Sequence, residues 1–458
     1  MTEQLRGPVH LIGIGGIHMS AIARLLLQRG IPVSGSDLHP SHLTHQLTAL
    51  GARIYQGHAA HHLPPETTLV VTTAAARPEN PEIAEAHRRG IPVILRAQMV
   101  ARLLQNKQLI AVAGSHGKTT TSALIAYILT HAGRQPMYLL GGECPDLDSH
   151  AAWGAGDLAI VEADEYRRAF LEYTPAIAII TTVEPDHLDD YGTPAAYRQA
   201  FVQFGQRITP GGLLLTCADD PGARTVSDIL GDQPIRQETY GIQSPRYWRA
   251  TDIHLGPTGA SFTLHRANTP LGQLHVQVPG HHFVRNATAA AAVALHLDIP
   301  FPTISKAIAA FRGARRRFEL IGQAAGITII DDYAHHPTEV RALIATARAA
   351  YPNSRLIGIH QPHTYSRIAY LWDDWLTAFQ GLHTLLIVET YAAREDPTAG
   401  RSAADLAAHI ATPPTHYIAD FDQAVHTTLS LLQPGDVVIT IGAGDIHQVG
   451  PRLLEALR

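Results

Sequence analysis

The chain has 458 residues, a formal net charge of −5 and two cysteines, Cys144 and Cys217. At about 150 residues per domain the length predicts roughly three domains, while two thiols exclude a disulfide scaffold or a cysteine-ligated zinc site. Mild negative charge without a basic face argues against a nucleic-acid partner. The absence of a leader-like start and of any apolar run of about 18 residues predicts a cytoplasmic protein with no membrane insertion.

The first strand is read at 9–13, a helix at 20–28 closed by Gly30, and a second strand at 32–35 that ends in Ser36 and Asp37. Strands at 67–72 and 92–95 follow, separated by a helix at 81–89. His58, His61 and His62, ahead of these strands, read as an exposed loop, since no other ligand type clusters with them. Strands alternating with helices predict a parallel sheet. A second such pattern has strands at 109–113, 158–163, 176–183 and 212–217. Over 250–278, short strands with Gly and Pro turns predict an antiparallel addition, before an Ala-rich buried helix at 285–296. A third pattern has strands at 327–330, 356–360, 384–388 and 437–441. The expected fold is α/β in three domains. A Rossmann-like N-terminal domain spans 1–106, a central P-loop ATPase-like domain with added antiparallel strands spans 107–313, and a Rossmann-like C-terminal domain spans 314–458.

The strongest motif is Gly114-Ser115-His116-Gly117-Lys118-Thr119-Thr120, directly after a strand and before a helix. Such a loop aims backbone N–H groups at an anion, its lysine reaches outer phosphates, and the Thr119 hydroxyl can ligate Mg2+. It is a shortened loop, because Val112 stands where the usual pattern has its first glycine. Only Lys107, Lys118 and Lys306 are lysines, so one placed in a glycine-rich loop points to chemistry.

Gly13-Ile14-Gly15-Gly16 opens the first pattern in the same way, with Asp37 ending the next strand. The third glycine of a dinucleotide fingerprint is missing, Ser20 and Ala21 occupying that region. The diphosphate of a nucleotide sugar therefore fits better than a nicotinamide cofactor. Glu162-Ala163-Asp164-Glu165 and Glu184-Pro185-Asp186-His187 close successive strands. Glu162 and His187 read as metal contacts beside Lys118 and Thr119, with helix capping as the plain alternative. Arg315-Arg316-Arg317-Phe318-Glu319 reads either as a solvated basic turn or as the source of an arginine that reaches a transferring phosphoryl group. Asp331 to Pro337 follows a strand, as does Gln361 to Arg367, where Arg367 could bind a small carboxylate.

Through GIGGIHMSAIA, SGSD, GSHGKTTT, EADEY, EPDHLD, RRFE, DDYAHHPTE, QPHTYSR and GAGDI, in that order, the chain resembles the Mur ligase family over all three domains. The resemblance implies an ATP- and Mg2+-dependent ligase of peptidoglycan precursor synthesis. Such an enzyme phosphorylates the lactyl carboxylate of UDP-N-acetylmuramate and joins L-alanine to the acyl phosphate. It implies UDP-sugar contacts at Gly13, Gly15, Gly16, Ser36 and Asp37. ATP contacts would be Gly114, Ser115, His116, Gly117, Lys118, Thr119, Thr120, Asn286 and Arg317, and amino-acid contacts Tyr333, His335, His363 and Arg367. Lys118, His187 and Arg317 would be catalytic, and Thr119, Glu162 and His187 would hold the metal. The implied partners are small molecules, acting on a monomer or homodimer. A family relative that attaches a ready-made tripeptide to the same sugar usually differs around DDYAHHPTE and QPHTYSR. Phe283, Arg167, Ala169 and Thr364 depart from the family's usual residues, and with no lysine between Lys118 and Lys306 a carbamoylated-lysine ligand is excluded from the central region.

Overall fold

A computed structural model describes residues 7–73, 76–77, 79–243, 247–393, 395–396 and 400–458. Residues 1–6, on which part of the leader reading falls, lie outside them. The chain divides into two compact units. The first is Met1–Arg249 with His265–Thr269 and Asn286–Ala307; the second is Ala250–Leu264, Pro270–Arg285 and Ile308–Arg458.

The first unit opens with β1 (Val9–Ile12), β2 (Val33–Asp37), β3 (Arg53–Gln56), β4 (Leu69–Thr72) and β5 (Val93–Leu95). They form a parallel sheet in the order β3-β2-β1-β4-β5. The order reverses between β1 and β4, which leaves a crevice at the carboxyl ends of those strands. The central strands are β6 (Gln108–Ala113), β7 (Met137–Leu139), β8 (Ala151–Ala152), β9 (Leu158–Glu162), β10 (Ile177–Ile180), β11 (Leu213–Cys217) and β12 (Arg236–Gly241). Here β6 lies between β10 and β9, so the loop after β6 leaves at a second reversal. β6, β9, β10 and β11 are almost wholly buried apolar runs, as strands covered on both faces must be. One hydrophobic cluster runs from Leu11 and Ile22 through Met99 and Leu103 to Val161 and Phe201.

In the second unit, β13 (Trp248–Gly256), which begins in the first unit, β14 (Gly259–Arg266) and β15 (Thr269–Val276) follow one another through short turns. They supply the predicted antiparallel part of a mixed central sheet. The last sheet has β16 (Glu319–Ala324), β17 (Ile327–Asp332), β18 (Leu356–His360), β19 (Thr384–Val388), β20 (Thr415–Ile418) and β21 (Val437–Ile441), in the order β16-β17-β21-β18-β19-β20. Only β16 is antiparallel to its neighbour.

Three expectations need correction. The strand expected over 176–183 ends at Ile180, and Thr181 to Asp186 instead form an irregular segment that the phosphate loop uses as an anchor. Asp331 and Asp332 do not follow their strand but close it, held in register with Thr440 and Ile441. The histidine segment is not an exposed loop throughout: the side chains of His58 and His62 are 22% and 13% exposed and face the buried carboxylate of Glu82. No helix among the described residues is long and apolar enough to cross a membrane.

Candidate active site

The loop after β6 is built around two glycines. Gly114 has φ +140°, and a Cβ there would fall 2.0 Å from Thr181 Oγ1, so only glycine lets the loop lie against the segment leaving β10. Gly117 caps the helix Lys118–His131 at φ +80°. Asn286, in the same unit, has its Oδ1 2.8 Å from where a Gly117 Cβ would stand. Ser115 N donates to Thr182 O and His116 N to Thr182 Oγ1, both at 2.9 Å. The Ser115 hydroxyl donates to Glu184 O at 2.7 Å, and His116 Nε2 lies 2.9 Å from Glu184 Oε2. The predicted Gly114 to Thr120 residues are thus one rigid element at the start of a helix.

Lys118 Nζ donates to Gly114 O at 2.5 Å and lies 2.8 Å and 3.1 Å from the two oxygens of Glu165. Burial works against its charge, but Glu165 and Glu162 outweigh it and hold the ammonium above its ordinary pKa. Burial pushes the Glu165 carboxyl up, while the ammonium 2.8 Å away favours its ionised form. Glu165 is the residue that sequence reasoning missed. Its motif offers Glu162 and Glu165 as two strand-end carboxylates three positions apart, and nothing in the segment marks which one turns inward to the lysine.

Glu162 is buried, and its Oε2 accepts the Gly141 N–H at 3.0 Å. A Cβ on Gly141 would lie 2.3 Å from that carboxylate, and one on Gly142 3.1 Å from Thr119 Cγ2. The glycine pair therefore lets the Thr119 methyl and the Glu162 carboxylate flank one turn, and a threonine hydroxyl and a carboxylate are oxygen donors of the hard kind that suit Mg2+. His187, at φ +52°, has Nε2 3.7 Å from Asp186 Oδ2 and 4.0 Å from Glu165 Oε1. It faces the Glu165 side of the site, with its ring 5.0 Å from that of Tyr166.

At the loop after β1, Gly13 N and Ile14 N donate to Ser36 O at 2.8 and 3.0 Å, and Gly16 N donates to Gly13 O at 3.2 Å. Gly15 N donates to Asp37 Oδ2 at 2.8 Å, so a carboxylate already stands at that N–H. Ser36 is fully buried and meets the loop through its carbonyl, because its hydroxyl donates to Glu82 Oε2 at 2.6 Å. Counted from Gly13 and Gly15, the fingerprint's third glycine position falls two residues before the Ser20 expected in that region, on His18. Burial and then the Arg96 charge lower its imidazole to about 3, leaving it neutral. Arg96 pairs with Asp164 at 2.7 Å.

In the second unit the four predicted amino-acid contacts come together. The rings of Tyr333 and His335 are 5.4 Å apart, those of His335 and His363 5.9 Å, and Arg367 Nη1 lies 2.9 Å from His363 Nδ1. Arg317 lies 5.1 Å over Tyr333 and 3.9 Å from Glu339. Arg316 pairs with Asp331 at 3.0 Å, so the arginine run is not simply a solvated turn. Asp332 accepts N–H groups from Phe318 and Ala334, tying that run to the end of β17. Phe283 is buried against the ring of His282 at 4.4 Å.

Parallel sheets with a phosphate loop and strand-end carboxylates define an enzyme that uses a nucleoside triphosphate. Sequence comparison narrows the class. Residues 8–108 match the Mur ligase family, catalytic domain, residues 112–294 the Mur ligase middle domain, and residues 316–444 the Mur ligase, glutamate ligase domain. The chain is 41% identical over 453 residues to a UDP-N-acetylmuramate–L-alanine ligase of Geobacter sp. (strain M21), covering 98% of this chain and 97% of that one. It superposes with a TM-score of 0.85 on the UDP-N-acetylmuramate-alanine ligase of Thermotoga maritima, at 28% identity and covering 98% and 99% of the two chains. A murein peptide ligase of Psychrobacter arcticus gives 0.74 at 25% identity, covering 99% of each. The chain belongs to the Mur ligase family.

Proposed function

We infer that the protein is an ATP-dependent ligase joining L-alanine to UDP-N-acetylmuramate in peptidoglycan precursor synthesis. The observation that carries this reading is the full-length identity to ligases of that name, in a chain whose Lys118 loop is intact. The domain boundaries we assign fall near residues 107 and 314.

A carboxylate is a poor electrophile, so the reaction first moves the γ-phosphoryl group of ATP onto the lactyl carboxylate. The amine of L-alanine then attacks the acyl phosphate carbonyl and phosphate leaves. The loop N–H groups and Lys118 would take the triphosphate, the ammonium exchanging Gly114 O for phosphoryl oxygens. Glu165 would hold that ammonium in place, and Asn286 would stand against the nucleotide at Gly117. Thr119 and Glu162 would hold Mg2+, which when bound neutralises charge on the phosphates. His187, set against Glu165, would act on the phosphoryl-transfer side. In the second unit, Arg367 would pair with the alanine carboxylate among Tyr333, His335 and His363, and Arg317 would offer positive charge to the phosphoryl group. Gly13, Gly15, Gly16, Ser36 and Asp37 would form the UDP-sugar end.

The test is phosphate release from ATP with UDP-N-acetylmuramate, Mg2+ and single amino acids. L-Alanine should give the fastest release. Silence with L-alanine but turnover with a tripeptide would move the assignment to the tripeptide-attaching branch of the family.

A further inference from the structure

Under the carboxyl end of β2 lies a charged group that the proposed reaction does not use. Glu82, on the helix Pro81–Arg88, has no exposed side-chain surface. Its Oε2 accepts the Ser36 hydroxyl at 2.6 Å and lies 3.1 Å from His58 Nδ1. Its Oε1 faces His62 Nδ1 at 3.5 Å and His10 Nε2 at 3.8 Å. His10 is fully buried and reaches Ser34 Oγ through Nδ1 at 2.8 Å. Three chain segments, at residues 10, 34–36 and 58–62, therefore converge on the Glu82 carboxylate. A buried charge is retained only where partners compensate its lost hydration, and here Ser36 and His58 meet Oε2 directly while His62 and His10 stand at ion-pair distance from Oε1, without a hydrogen bond to it.

The same Ser36 that Glu82 grips by its hydroxyl gives its carbonyl to the N–H groups of Gly13 and Ile14, and the next residue, Asp37, takes the N–H of Gly15. Glu82 thus holds the side chain of the residue whose carbonyl takes Gly13 and Ile14, and whose chain neighbour takes Gly15. We propose that Glu82 is a positioning residue for sugar-nucleotide binding, acting through Ser36 on the Gly13–Gly16 loop. This rests on reading that loop as the UDP-sugar end.

The experiment compares the full-length wild type with Glu82→Gln and Ser36→Ala, using UDP-N-acetylmuramate and ATP as varied substrates. Glu85→Gln is the control, since Glu85 lies on the same helix but pairs outward with Arg88. Glu82→Gln should raise KM for the sugar nucleotide about tenfold while KM for ATP and kcat stay within about threefold. Ser36→Ala keeps the buried charge with its imidazoles and should shift the same KM in the same direction, so the idea survives testing even if Glu82→Gln does not fold. An unchanged sugar-nucleotide KM in the folded variants overturns the proposal. So does a fall in kcat together with a rise in both KM values, which would reduce Glu82 to a structural role. Titration of wild type with UDP-N-acetylmuramate alone separates the two levels: no binding there overturns the functional reading itself.

Discussion

The first unit contains the same local device twice, a buried parallel strand, a glycine turn and a helix, at Gly13–Gly16 and at Gly114–Lys118. Their partners differ. The first loop is held by the end of its neighbouring strand β2, its N–H groups taken by Ser36 O and Asp37 Oδ2, with only Gly16 N turning back to Gly13 O. The second is anchored from outside by Thr182 and Glu184, and carries a cation folded back onto its own carbonyl and onto Glu165. A glycine turn before a helix supplies an anion-binding shape, but the groups that the rest of the sheet brings to it decide which anion and whether chemistry follows.

The largest effect that would sharpen this contrast is expected from Lys118→Ala. Turnover should fall by about a thousandfold or more, because the ammonium is the loop's own source of positive charge, while UDP-N-acetylmuramate binding by titration stays near wild type. Appreciable residual turnover would break the assignment of the second loop.

The two loops should also differ in tolerance of a side chain. Gly114→Ala places a Cβ 2.0 Å from Thr181 Oγ1 at φ +140° and should cost about 3 kcal/mol or more of stability. Gly13→Ala, at φ +78° with Thr73 Cγ2 3.2 Å away, should cost about 1–2 kcal/mol. Urea unfolding of the two variants measures the difference, and equal losses would mean that the second loop is no more tightly anchored than the first.

A smaller effect concerns pH on the side of the first loop. His150 Nε2 lies 3.0 Å from Ser20 Oγ, on the helix that follows Gly16, and burial lowers its imidazole to about 4 from 6.5. The fold favours the neutral ring, so its contribution is complete above pH 6.5 and is lost as pH falls towards 4, by on the order of 1 kcal/mol per pH unit. The melting temperature should fall across that range, and less so in His150→Gln. A wild-type-minus-variant difference that stays flat would remove His150 as the cause.

Much of this was legible in the chain. The strands expected at 356–360, 384–388 and 437–441 appear with those bounds, because parallel strands covered on both faces read as plain apolar runs. The strands Arg53–Gln56, Glu319–Ala324 and Thr415–Ile418 did not stand out, since each is only partly buried and mixes polar with apolar residues. Lys118, Thr119 and Glu162 could be named from motif and position. Glu165 could not, because nothing local distinguishes a carboxylate that turns inward to a lysine 47 positions away from one that caps a helix. The inward turn of His58 and His62 escapes the sequence for a related reason: their partner, Glu82, lies 24 positions from His58, on a helix.

By itself the sequence determined the α/β class, the two glycine loops and the one lysine fit to serve a phosphate, because those follow from local periodicity and from residues with special backbone or charge properties. Tertiary structure alone decided that Asp37 stands at the first loop's N–H, that Glu165 holds Lys118, and that Glu82 gathers three histidines and Ser36. A buried charge is tolerable only beside partners that compensate its lost hydration, and which partners arrive depends on strand order and register, which no single segment encodes.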